Sequence, residues 1–176
     1  MLSKNLVLVL CLAFIAGGSL KAQDAEYIGA AKCKMCHNKT TTGQQYKIWS
    51  EGPHANAMKS LSNEKSMAYA KEHGIADPTT DKKCTKCHST VGGTNESLHA
   101  GIKIDEGVSC ESCHGPGSKY KTNTIMKDQA KSIENGLIIP DEKLCKGCHN
   151  EENPFHKPFN YDEYVKKIAH PNPAAN

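Results

Sequence analysis

The 176-residue chain contains no arginine, so its 22 basic residues are all lysines. It therefore has no planar guanidinium fork with which to grip nitrite, sulfite or another oxyanion in bidentate fashion. Aromatic residues make up only 6% of the chain, so large rings cannot provide most of a side-chain core. Neither sign of charge dominates, since 22 basic residues face 19 acidic ones for a formal charge of +3. That bias is too weak to argue for a nucleic-acid partner. There is no long apolar run either: the longest, Leu6 to Ile15, is about half of what a membrane-spanning helix needs.

That short run has another use. Lys4 precedes it, and Gly17-Gly18-Ser19 and Ala22 follow it, which is the form of a secretory signal. Cleavage is expected after Ala22, making residues 1–22 a signal peptide and 23–176 one mature domain, exported to the periplasm with no stable membrane insertion. Cys11 sits in the run behind Leu10, where a lipid-attachment site prefers a small residue, so a lipid anchor is not expected.

Of the nine cysteines, Cys11 lies in the signal and the other eight fall into four copies of one pattern. These are Cys33-Lys34-Met35-Cys36-His37, Cys84-Thr85-Lys86-Cys87-His88, Cys110-Glu111-Ser112-Cys113-His114 and Cys145-Lys146-Gly147-Cys148-His149. Cys-x-x-Cys-His is the spacing of c-type haem attachment: two thiols add to the porphyrin vinyl groups and the adjacent imidazole binds iron. Zinc is the competing reading of Cys-x-x-Cys. A histidine directly after every copy, together with export, favours four covalently bound haem c groups. No thiol is left for a disulfide or a catalytic nucleophile.

Removing residues 1–22 leaves 154 residues, about 38 per haem, which is little chain from which to build a large core. The expected fold is mainly α, a loop-rich multihaem cytochrome c with a haem-packed core and little or no β-sheet. Loss of Lys4 and Lys21 leaves 20 basic residues against 19 acids. Each ferric haem with two ionised propionates adds about −1, so the oxidised holoprotein should carry roughly −3.

Helices are expected over 40–50, 63–72 and 128–135, with a further one opened by Pro140-Asp141 that carries the fourth motif. The segment from His54 to Leu61 puts His54, Met58 and Leu61 on one face, and residues 89–107 read as loop. Asn160-Tyr161-Asp162-Glu163 has the form of a capping box for a last helix, which His170-Pro171 ends.

Nine histidines less the four in the motifs leave His54, His73, His99, His156 and His170 as candidate sixth ligands. Two imidazoles on one iron suit electron transfer, whereas an iron with an empty position can bind a small molecule. Across nearly its whole mature length the chain resembles the multihaem cytochrome c-554 family. The resemblance is carried by Tyr27-Ile28-Gly29, Trp49…His54-Ala55-Asn56-Ala57-Met58, Gly107-Val108-Ser109-Cys110 through His114-Gly115-Pro116-Gly117, and Phe159-Asn160-Tyr161-Asp162-Glu163…His170. It implies a periplasmic electron carrier with closely stacked haems and redox-protein partners, with provision for one iron lacking a sixth protein ligand. It also implies that His54 binds the haem of the third motif and His170 that of the fourth.

The chain departs from the family after Gly-Pro-Gly. There the family has a histidine that binds the first haem, and Ser118 to Met126 contains none. Met126 is the nearest soft donor and the candidate ligand for that iron, against ordinary packing by a flexible apolar side chain. For the haem on His88, His99 or His73 could reach, or the position is open. His156 is read as no axial ligand. The rival to electron transfer is reduction of nitric oxide or a related nitrogen species at an open second haem, and a third option is a module of a haem-bearing filament. The lack of arginine, and of any Cys-x-x-Cys-Lys copy resembling the catalytic site of pentahaem nitrite reductases, counts against a dedicated oxyanion reductase. Composition leaves the oligomeric state open.

Overall fold

The computed structural model describes residues 24–173; the signal-peptide reading falls on residues outside that range. Ten short helices follow one another with long connections: α1 (Ala30–His37), α2 (Gln45–Glu51), α3 (Ala57–Ser60), α4 (Glu64–Glu72), α5 (Lys82–His88), α6 (Cys110–His114), α7 (Asn123–Met126), α8 (Gln129–Glu134), α9 (Glu142–Lys146) and α10 (Tyr161–Ile168). Among the described residues there is no sheet, only an isolated parallel bridge between Tyr27 and His99. The mainly helical, loop-rich expectation therefore holds.

The starts of α4, α8, α9 and α10 were legible because their caps are local. The Asn63, Asp81, Asp128, Asp141 and Asn160 side chains accept from backbone N–H groups of α4, α5, α8, α9 and α10. This is the role that short polar side chains play at helix starts. The capping box at Asn160 is half built, because Glu163 pairs with Lys167 instead of reaching back. The helix expected over 40–50 is broken. A 3-10 turn covers Thr40–Thr42, and Gln44 is left-handed (φ 52) before α2 begins.

The protein's own core is small. Among the described residues, its buried hydrophobic side chains are Ile28, Ala30, Met58, Leu61, Ala70, Val91, Ile102 and Tyr120. Met58 and Leu61 come from the face that the spacing shares with His54. Around them lie buried hydroxyls: Thr90 Oγ1 meets Ser109 Oγ at 2.9 Å and Ser112 Oγ at 2.8 Å.

Candidate haem sites

The first three motifs lie within α1, α5 and α6, so that two cysteines and a histidine share one side of a single turn, while α9 carries Cys145 and the chain turns beyond it through Cys148 and His149. Two of the motif histidines are oriented by backbone carbonyls. His88 Nδ1 lies 2.8 Å from Ala57 O, and His114 Nδ1 lies 3.2 Å from Ile138 O. A carbonyl accepts only, so Nδ1 carries the proton and Nε2 keeps its lone pair for a metal. Burial pushes His54, His114, His149 and His170 below the ordinary imidazole range, and this favours the neutral, ligating form.

The histidines outside the motifs meet the motif histidines in two pairs. The His54 and His149 ring centroids are 6.0 Å apart, and those of His114 and His170 are 5.9 Å apart. Metal–imidazole bonds are about 2 Å long and a ring centroid lies roughly 1 Å behind its bonding nitrogen, so imidazoles on opposite sides of one ion stand about 6 Å apart. Both pairs fit an iron between them. Among the described residues, no group of three or more His, Cys, Asp and Glu side chains converges as a bare metal ion would require.

The pairing is the reverse of the one implied by the resemblance: His54 faces the fourth motif and His170 the third. Packing explains this. Phe159 stacks on His149 at 4.8 Å and Tyr164 adds its ring at 6.4 Å, so the start of α10 is already against the fourth motif. The far end of α10 then overshoots it and delivers His170 to His114.

The segments that carry the resemblance pack against one another. Trp49 Nε1 donates to Val108 O at 2.8 Å, and Val108 N donates to His54 O at 3.0 Å. Gly107 (φ +72) permits this approach, since a Cβ there would come within 2.6 Å of His54 O. Gly107→Ala should therefore cost about 1–3 kcal/mol through backbone strain and collision. An unchanged thermal midpoint would contradict that.

Two functional residues were missed from sequence. Glu111, inside the third motif, is 2% exposed and accepts from Ile28 N, Gly29 N and Gly117 N. Glu106 accepts from Ala30 N at 2.8 Å. Together they cap α1, whose own N-cap, Gly29, has no side chain to do so. That missing local cap was the available signal.

Contacts between segments show which motifs are neighbours. Glu111 of the third motif accepts from Ile28 N and Gly29 N, at the start of the helix that carries the first. Phe159 stacks on His149 of the fourth motif while His170, further along the same segment, lies against His114 of the third. Lys86 of the second motif pairs with Glu152, just past the fourth, at 2.6 Å. The spatial order is thus first, third, fourth, second.

The remaining candidates are placed less directly. His99 is held by the bridge to Tyr27, and its Nε2 lies 2.8 Å from Thr94 Oγ1. His73 is exposed, stacked on Tyr69 at 3.8 Å, with Nδ1 2.9 Å from Tyr69 O. Met126 is half-buried at the end of α7. His156 lines a cavity of about 180 Å³ beside His149.

Paired imidazoles beside Cys-x-x-Cys-His turns on a mainly helical, loop-rich chain define a c-type cytochrome, a protein of electron transfer with covalently bound haem. The family model described as "Cytochrome c554 and c-prime" matches residues 32–115. Cytochrome c-554 of Nitrosomonas europaea is 32% identical over 172 positions, covering 85% of this chain and 68% of the relative. This chain belongs to the cytochrome c-554 family. No solved structure matches it.

Proposed function

We propose that this protein is a periplasmic tetrahaem electron carrier that exchanges electrons with redox-partner proteins along a row of sites ordered first, third, fourth, second. The observation that carries the reading is the run of contacts from motif to motif: Glu111 on Ile28 and Gly29, the segment from Phe159 on His149 to His170 on His114, and Lys86 on Glu152. When bound, haem iron supplies a one-electron couple at each site.

The chain's own residues set ligand identity and spacing. Cys33, Cys36, Cys84, Cys87, Cys110, Cys113, Cys145 and Cys148 tether the porphyrins. His37, His88, His114 and His149 hold the irons on one side. His54 opposite His149, and His170 opposite His114, would make those two irons bis-imidazole and keep rearrangement on reduction small. Met126 is the proposed partner of the iron on His37. His99 would serve the iron on His88 either through Nδ1 or, through Nε2, by giving up Thr94. Among the described residues no helix is long and apolar enough to cross a membrane.

Mass spectrometry of the exported protein, together with electron paramagnetic resonance of the oxidised form, tests the reading. Four added haems are expected, and His54→Ala should turn the low-spin iron of the fourth motif high-spin while sparing the third. Fewer than four haems, or a His54→Ala effect confined to the third motif, would overturn it. Met126→Ala with unchanged spectrum and potentials would remove that ligand alone.

A further inference from the structure

His170 is not held in place by the helix that carries it. The last turn of α10 closes with Ala169 N to Val165 O at 2.8 Å, and Ala169 is already extended (ψ 141). Pro171 keeps His170 from continuing the helix. The tail is fixed by a remote part of the chain. Gln45 Nε2 donates to Pro171 O at 2.8 Å and also to Thr42 O. Both amide protons are thereby used.

Beside Gln45 lies Gly43 (φ +100), where a Cβ would stand 2.5 Å from Pro171 O and 3.1 Å from Pro173 Cδ. Glycine is what allows the tail to lie so close. The loop that presents these groups is strained, because Gln44 is the non-glycine residue with positive φ among the described residues. It is also tied to the first motif, through Thr42 Oγ1, which donates to Cys36 O at 3.0 Å.

We infer that the Gln45 carboxamide, with Gly43 beneath the tail, is the latch that seats His170 on the iron held by His114. This rests on the ligation proposed above. Gln45 touches neither imidazole, so it is a positioning residue. Because the latch grows from the loop directly after Cys36-His37, the first site supports the coordination of its neighbour, the third.

The test uses holoprotein variants and follows carbon monoxide uptake by the reduced cytochrome, alongside electron paramagnetic resonance of the oxidised form. His170→Ala identifies the phase belonging to the third site by opening it. Losing one hydrogen bond from the closed tail should raise the detached population, and hence uptake in that phase, about fivefold in Gln45→Ala and Gln45→Met. Gln45→Lys keeps a donor of similar reach and should restore the native rate, and Gly43→Ala should be at least as fast as Gln45→Ala. If His170→Ala leaves the third iron low-spin and closed, the ligation fails and the latch falls with it. If His170→Ala opens the site while Gln45→Ala, Gln45→Met and Gly43→Ala all keep the native rate, the latch alone is overturned. Gln45→Met preserves side-chain bulk, which covers the case in which the alanine variant does not assemble.

Discussion

Glu111→Ala should destabilise the protein by about 3–9 kcal/mol, because three buried N–H groups lose their partner and each costs about 1–3 kcal/mol unpaired. Oε1 accepts from Gly117 N at 2.6 Å and Ile28 N at 3.0 Å, and Oε2 accepts from Gly29 N at 2.8 Å and Ile28 N at 3.1 Å. The carboxylate therefore joins the lead into the first motif, the third motif, and the Gly-Pro-Gly turn. Burial pushes its carboxyl up from the ordinary range, while the N–H donors of Ile28, Gly117 and Gly29 pull it down. A protonated carboxyl would have to turn an O–H toward donors that offer no acceptor. With total stabilities of about 5–15 kcal/mol, a loss of this size threatens the fold itself.

Glu111→Gln keeps the shape and one acceptor oxygen, so it should lose roughly half as much. Haem content and thermal midpoints of the two variants make the comparison. The clasp is wrong if Glu111→Ala melts within a degree or two of the native protein.

The second large effect is expected from withholding haem. Chain exported into a host that cannot attach haem should show the far-ultraviolet circular dichroism of a mostly unfolded polypeptide and no cooperative melt. The helices explain why. The longest among the described residues, α4, has 9 residues, and α3 and α7 have 4 each. Isolated helices below about 12 residues are marginal in water, so these depend on tertiary packing. The side chains available for that packing are few: Met58, Leu61, Val91, Ile28, Ile102 and Tyr120, with two alanines. Burying a large apolar side chain gives about 1.5–3 kcal/mol, whereas ordering each residue costs about 1–2 kcal/mol of backbone entropy. Porphyrins must make up the difference. A haem-free chain with native near-ultraviolet dichroism and a sharp melt would refute this.

The chemistry of attachment could be read directly from the residues because it is short-range. Two thiols and an imidazole must meet one porphyrin, and five consecutive residues on one helical turn suffice. Caps such as Asn63 and Asp141 were legible for the same reason, since the donor they satisfy lies three residues away. The break at Gly43-Gln44 was not, because the strained turn is kept by a tail that arrives from the other end of the chain.

Contacts between distant segments needed the folded molecule. The resemblance implies His54 at the third motif and His170 at the fourth, whereas His54 lies by His149, and the packing of Phe159 and Tyr164 on His149 shows why α10 carries His170 past the fourth motif to His114. Glu111 falls between the two cysteines of a haem-attachment pattern that asks nothing of it, yet it binds Ile28, 83 positions away. No periodicity or spacing rule records such a pairing. Local geometry writes itself into neighbouring residues, whereas the meeting of remote segments depends on how every element between them is packed.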